Sequence, residues 1–330
     1  MISDLPGKIF TIKTSRDFTE TALEIFRYQS EVSEIYRKYM RLLGVRSDDV
    51  CQIEDIPFLP VSLFRKYPVK SFRGKPQNIF TSSGTSSTIP SKHYVYDLSL
   101  YEKSFLTAFR LFYGDPAGMS VLALLPTYLE RSGSSLIYMI DKLIKLSGSP
   151  FSGYYLYNHK RLYHRLRELA AKKERVLLFG VSYALLDFAE KYEVLVPGMI
   201  VMETGGMKGR RKEMVREELH GILTSRFHVT SVHSEYGMTE LLSQAYSQGK
   251  GIYAAPPWMQ ILIRDPYDPL SFLPPGRHGG INVIDLANLY SCAFIETGDL
   301  GICFPDGTFS VSGRFDHSEL RGCNLMVQEI

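Results

Sequence analysis

Three apolar runs, MSVLALLP (119–126), RVLLFGV (175–181) and GMIVMETGG (198–206), are separated by helical periodicity at 132–147, 159–174 and 182–193. A run that is apolar at nearly every position has no solvent side, so it suits a strand buried on both faces. A helix between two such strands is the usual bridge between parallel neighbours. The alternation therefore predicts an α/β fold, a parallel sheet flanked by helices.

Upstream, Phe18, Ala22, Ile25, Phe26, Val32, Ile35 and Tyr39 recur at helical spacing and predict one or two amphipathic helices over 17–43. The stretch IEDIPFLPVSLFRKYPV holds three prolines and reads as an extended, packed connector. YDLSLYEKSFLTAFRLFY predicts a helix capped by Asp97 or Ser99. From Gly251 the texture changes to short β-rich pieces and turns (AAPPWM, DPYDP, LPPGRHGG, FPDGTFSVSGR). Residues 1–250 are thus expected to form an α/β core, and 251–330 a smaller, mostly antiparallel subdomain with a tail.

At 330 residues, 45% of them hydrophobic, the chain can bury a sizeable core. Its 38 basic and 35 acidic residues leave a formal charge of +3, too small a field to point to nucleic acid or a membrane surface. The N-terminal MISDLPGKIFTIKTS has no apolar signal core, and no apolar run approaches the ~18 residues that span a bilayer. A cytoplasmic protein without stable membrane insertion is expected. Cys51, Cys292, Cys303 and Cys323 are far apart and form no CxxC pair, which disfavours a zinc site or a disulfide framework. The first three read as small core residues; Cys323, beside Arg321 and Gly322, does not.

FTSSGTSSTIPSKH (80–93) gathers Ser and Thr hydroxyls around Gly84. Backbone N–H groups, hydroxyl donors and a glycine where the backbone approaches closely are what a phosphate-binding loop needs, although many such stretches are solvated turns. It is no Walker A loop, since no second glycine follows in register and Lys92 lies eight residues on. GxGxxG and GxSxG are missing. His159 and His164 are five apart, not the four that put two ligands on one helix face. KGRRK (208–212) reads as a charged helix start, with a phosphate or carboxylate role left open by Gly205-Gly206 before it.

Further on come HSEYGMTE (233–240), ETGDLG (296–301) and SGRFDHSELRGC (312–323). With the hydroxyl loop, and in this order, they resemble the marks of the adenylate-forming enzymes: acyl-CoA synthetases, luciferases and peptide-synthetase adenylation domains. A narrower similarity, through IPFLPVSLF, the Ser-Lys-His after the loop, TGG-x-K and the closing RGCNL, is to the LuxE-type acyl-protein synthetases. The resemblance implies the large domain of that superfamily, with parallel sheets flanked by helices plus a smaller β-rich subdomain. It also implies ATP-dependent activation of a carboxylic acid, fatty or aryl, to an acyl adenylate. The acyl group then passes to an enzyme cysteine, or to coenzyme A or a carrier with a partner domain. The small-molecule acid is joined as partner by an acyl-accepting reductase, transferase or carrier protein. A non-catalytic nucleotide-binding subunit is the rival from another class.

On that resemblance, Ser82, Ser83, Gly84, Thr85 and Ser86 cradle the β- and γ-phosphates, with Lys92 nearby. Thr239 donates to the α-phosphate and Glu240 binds Mg²⁺, which favours one or two carboxylates plus phosphate oxygens. Tyr236 and Gly237 face the adenine with Gly205 and Gly206, Asp299 takes the ribose hydroxyls, and Arg314 reaches the sugar or phosphate. The pattern departs in three places: one extra residue lies between Gly84 and Pro90, the hinge is one residue short after Asp316, and Glu319 stands near a usual lysine. The chain stops about where the family's mobile C-terminal domain would begin, taking with it the lysine that contacts the reacting carboxylate; Lys208 or Lys92 is left for that role. Cys323 is the expected acyl acceptor, its thiol acidified by nearby cations. Segments 125–136 and 179–183 are expected to line the acid pocket.

Overall fold

The computed structural model describes residues 4–82, 89–127, 129–205 and 214–315. The chain opens with helices α1 (Leu5–Ile9), α2 (Ser15–Val32) and α3 (Glu34–Leu42). Thr14 and Asp17 form a reciprocal capping box at the start of α2, and Ser33 separates α2 from α3 and caps the latter. Gln29, fully buried on α2, bonds the carbonyls of Asn288 and Leu289 and the N–H of Ala293, which fixes this helix against the C-terminal half. The proline-rich connector contains β1 (Leu59–Pro60) and, unlike the extended path expected, a 3-10 turn at Ile53–Asp55 and a short helix, α4 (Leu63–Lys66). Pro60 and Pro68 leave room for that helix, and burial of Leu63 and Phe64 holds it.

A separate antiparallel pair follows, β2 (Asn78–Thr81) and β3 (Lys92–Val95), the strands that flank the hydroxyl-rich segment in sequence. Helix α5 (Leu98–Tyr113) is capped by Asp97, whose side chain accepts from the Ser99 N–H. Then come β4 (Met119–Leu124), α6 (Ser135–Ser147), β5 (Gly153–Tyr154), α7 (His159–Lys172), β6 (Arg175–Val181), α8 (Ser182–Lys191), β7 (Ile200–Thr204), α9 (Arg216–Phe227) and β8 (His233–Tyr236). The remaining strands are β9 (Ala245–Ser247), β10 (Ile252–Ala254), β11 (Met259–Arg264), β12 (His278–Asp285), β13 (Phe294–Cys303) and β14 (Phe309–Arg314).

The sheet runs β11-β12-β13-β14-β10-β9-β8-β7-β6-β4-β5, with β1 added on β13. Strands β8, β7, β6, β4 and β5 are mutually parallel. All six residues of β4 and the last six of β6 are buried, each large aliphatic side chain contributing about 2 kcal/mol of burial. β7 is shorter than its apolar run because Gly198 (φ +72°) and Gly205 (φ +65°) leave the extended region. The antiparallel strands after Gly251 continue the same sheet, joined through the tight β9–β10 hairpin. Cys292 is buried and Cys303 half-buried, but Cys51, expected in the core, is exposed in a turn where its N–H bonds Asp55. Among the described residues, no helix is long and apolar enough to cross a membrane.

Candidate functional site

The carboxyl ends of β4, β6, β7 and β8 lie along one edge, and loops leaving that edge of a parallel sheet can gather around a ligand. At the end of β7 the two sheet faces carry different polar groups. On one, Thr204 donates to the Glu235 carboxylate at 2.6 Å. On the other, Glu203 accepts from Ser182 at 2.8 Å and lies 3.8 Å from the His220 ring nitrogen. Ser182 also donates to the carbonyl of Gly205, whose positive φ a larger residue would tolerate poorly. Because Thr204 pairs with Glu235, Gly205 is set beside Tyr236 at the end of β8.

Tyr236 is buried edge-on against Tyr253 and Phe309, and its hydroxyl donates to Asp299 Oδ2 at 2.9 Å. Burial, then the Asp299 charge, raises the phenol well above its ordinary pKa, so it stays a donor. The other Asp299 oxygen accepts from Arg314 Nε at 3.1 Å, and these two residues are cross-strand partners on β13 and β14. The Arg314 side chain is 74% exposed, so this ion pair adds little stability and leaves the guanidinium accessible to a ligand. Beneath them the buried Arg264 donates to the carbonyls of Ile281 and Thr297 and to Asn282 Oδ1, tying β11, β12 and β13 together. Gly280 makes room for it, since a Cβ there would come within 2.4 Å of the guanidinium carbon.

A second cluster forms around 239–243. Asp285, fully buried, accepts from the N–H groups of Leu242 and Ser243, and Asn288 donates to the Glu240 carbonyl at 2.8 Å. From β3, His93 contacts the Thr239 carbonyl through Nδ1 at 2.8 Å, which makes that nitrogen the protonated one. Burial lowers the His93 pKa to about 4, so the ring is neutral near pH 7. The base of the hydroxyl loop is closed by Ser82 N–H to the Ser91 carbonyl and by Ser91 N–H to the Ser82 hydroxyl. Ser91 in turn hydrogen-bonds the Glu240 carboxylate. Burial raises the Glu240 pKa; Ser91 and the more distant Arg65 and Arg314 charges offset this only in part. Arg314 thus influences both clusters.

A desolvated carboxylate with no ion pair among the described residues fits a divalent cation, which would restore its ionised form. Among the described residues no three His, Cys, Asp or Glu side chains group as a metal cage, so further ligands would come from a bound substrate or water.

The structure therefore brings Ser82, Gly205, Tyr236, Thr239, Glu240, Asp299 and Arg314 to one edge. Gly237 is exposed there; a Cβ on it would stand 2.5 Å from Glu235 Oε1. Lys92 is exposed, and strand alternation turns it away from the buried His93. Ser83, Gly84, Thr85, Ser86, Gly206, Lys208 and Cys323 lie outside the described residues. Of the segments assigned to an acid pocket, Gly133 abuts Thr81 at the end of β2, its carbonyl accepting from Thr81 N–H, and Gly180 packs against Leu124 and Leu185. Sequence reasoning missed Ser91, His93, Arg264, Asp285 and Asn288. The only signal for any of them is the Ser-Lys-His triplet after the loop.

No family model matches the sequence, and no curated protein matches it. Solved structures do share its fold. An open conformation of 2-hydroxyisobutyryl-CoA ligase, in complex with 2-HIB-AMP and CoA, aligns with TM-score 0.65 and 14% identity over 93% of this chain and 72% of that one. ATP-bound MatB from Rhodopseudomonas palustris aligns with TM-score 0.53 and 18% identity over 73% of this chain, and an ATP-bound RpMatB-BxBclM chimera does so with TM-score 0.54 and 18% identity over 73%. The chain spans 49% of the length of each of these last two. The chain therefore shares its fold with these ligase structures.

Proposed function

We propose that this protein activates a carboxylic acid with ATP, releasing pyrophosphate and forming an acyl adenylate. The observation that carries the reading is the convergence of Glu240, Thr239, the base of the hydroxyl loop and the Tyr236–Asp299–Arg314 cluster on one sheet edge, from residues as far apart in sequence as Ser82 and Arg314. In this reading Asp299 receives the ribose hydroxyls, pre-oriented by Tyr236, while Arg314 turns to the sugar or phosphate. Tyr236 and Gly237 border the adenine with Gly205 and Gly206. Thr239 donates to the α-phosphate, and Ser82 to Ser86 hold the β- and γ-phosphates. Glu240 would hold Mg²⁺, which when bound would supply charge neutralisation for the pyrophosphate. The carboxylate oxygen of the acid bonds to the α-phosphorus as the bond to pyrophosphate breaks, with Lys208 as the cation for that carboxylate, since Lys92 is turned away from the Thr239 side of its strand.

The acyl group then passes to Cys323, whose thiolate attacks the acyl carbonyl and expels AMP. The likeness to a CoA ligase favours a second outcome, transfer to coenzyme A. Acid-dependent exchange of pyrophosphate into ATP tests the first step. Exchange with no acid, aliphatic or aromatic, would leave a non-catalytic nucleotide-binding subunit. Intact mass after incubation with ATP, Mg²⁺ and the best acid tests the second: an acyl adduct is expected on wild type and lost in Cys323→Ala, and an adduct persisting in that variant refutes the assignment.

A further inference from the structure

We infer that the outer face of α7 docks an acidic protein whose thiol takes the acyl group on from the Cys323 thioester, releasing the Cys323 thiol; the acceptor's identity rests on the proposed function, the docking face does not. Residues 158–174 hold six basic and two acidic side chains, a net +4, whereas the whole chain carries +3. Among the described residues, α7 and its flanks thus form a strongly basic segment in a chain whose charges otherwise nearly balance; the other basic run, KGRRK (208–212), lies outside the described residues. Leu162, Leu166 and Leu169 spend the apolar face of α7 on the core, so the outer face has nothing to insert into a bilayer and would act by charge.

Glu168 pairs with both Arg165 and Lys172, but Lys160, Arg161, Arg167 and Lys173 have no ion pair among the described residues. The arginines are nevertheless ordered. Arg161 lies over Tyr155, Arg165 over Phe151 and Arg167 over Tyr163, at 5.1–5.8 Å from the ring centroids. Holding long side chains in place beforehand reduces the entropy lost on docking. A surface concavity of about 320 Å³, lined by Asn158, Lys160, Arg161, His164 and Arg165, can admit an acidic side chain.

The placement also suits delivery. β5 is parallel to β4 and leads directly into the N-terminus of α7, so this end of the helix lies at the sheet edge that carries Gly205 and Tyr236. Leu129 and Tyr157, 94% and 77% exposed, add apolar contact on the loops of that edge. Complementary charge of this kind mainly accelerates and orients encounter, and it weakens with salt.

The test uses the full chain and, as probe, a fluorescein-labelled acyl carrier protein in its thiol-bearing form, followed by anisotropy. Micromolar binding is expected at 50 mM NaCl, at least tenfold weaker at 300 mM. Arg161→Glu/Arg167→Glu should weaken it at least tenfold, while Arg41→Glu on α3 leaves it unchanged. Both variants should retain the wild-type melting temperature and acid-dependent exchange. The proposal is overturned if the double variant binds like wild type, or if the carrier shows no salt-dependent binding. It is equally overturned if duplex RNA or vesicles with 30% phosphatidylglycerol engage Arg161 and Arg167 more tightly than the carrier does. Carrier docking through α7 with no exchange for any acid would sink the adenylation reading and leave the docking face standing.

Discussion

Replacing His93 by glutamine removes a titration from the centre of the site while keeping an N–H that can reach the Thr239 carbonyl. His93 is fully buried and its pKa is lowered to about 4, chiefly by desolvation, against an ordinary 6.5. The unfolded chain therefore takes up a proton at His93 before the folded one does. This stability is complete above pH 6.5 and is lost as pH falls toward 4. Integrating the two titrations gives a loss of about 2 kcal/mol at pH 5 and about 3 kcal/mol at pH 4. Urea unfolding can be followed by Trp258, the single tryptophan, which is buried with its indole N–H bonded to Ser104 and Ser243. The stability difference between His93→Gln and wild type should shift in favour of the variant by about 2 kcal/mol between pH 7 and pH 5. A shift below about 0.5 kcal/mol would show that His93 is not held neutral, and the clamp on Thr239 would fail with it.

Asp285 should act with the opposite sign: burial raises its pKa to about 6, so its stabilisation is greatest below pH 3.8 and is lost as pH rises through 6, and the difference between wild type and Asp285→Asn should change by about 2 kcal/mol between pH 4 and 7. Glu240→Gln should leave the melting temperature at or above wild type, because it removes a desolvated charge, yet lower Mg²⁺-dependent exchange by about 100-fold; undiminished exchange would remove Glu240 as a metal ligand. Gly301→Ala should cost about 3 kcal/mol or more or prevent folding, since a Cβ there would stand 2.1 Å from the Ser310 carbonyl oxygen across β13–β14, and a melting temperature within 2 °C of wild type, a shift of about 1 kcal/mol or less, would contradict that packing. In the folded protein iodoacetamide should modify Cys51 and spare Cys292, whose thiol is buried and pushed up to about 12; mass mapping of the labelled peptides checks both.

Apart from the two-residue β5, which is too short and too little buried to show a pattern, the order of strands and helices from Met119 to Lys191 was open to sequence reading, because the buried strands β4 and β6 are apolar at nearly every position and each helix keeps its apolar residues on one face. Local chemistry likewise set the ends of these elements, as Asp97 and Asn158 begin helices and Gly148 and Gly205 terminate periodic runs. Tyr236, Thr239, Glu240, Asp299 and Arg314 could be named because each sits in a short motif whose residue types suit phosphate, metal or ribose.

Tertiary structure alone decided how those motifs meet. The sheet pairs β8 with β9 and β13 with β14, which puts the Tyr236 hydroxyl on Asp299 across 63 positions of sequence. Strand β3 brings His93 to Thr239 across 146, and no periodicity encodes that contact. Which buried polar groups satisfy one another is likewise a non-local matter: Arg264 finds its carbonyls on β12 and β13, and Asp285 its N–H donors after β8. Residue type and spacing specify what a segment can form and what its side chains can bind, because both follow from short-range geometry. Which distant groups lose their water to one another, and how their pKa values move, is fixed only when strand pairing closes the chain around them.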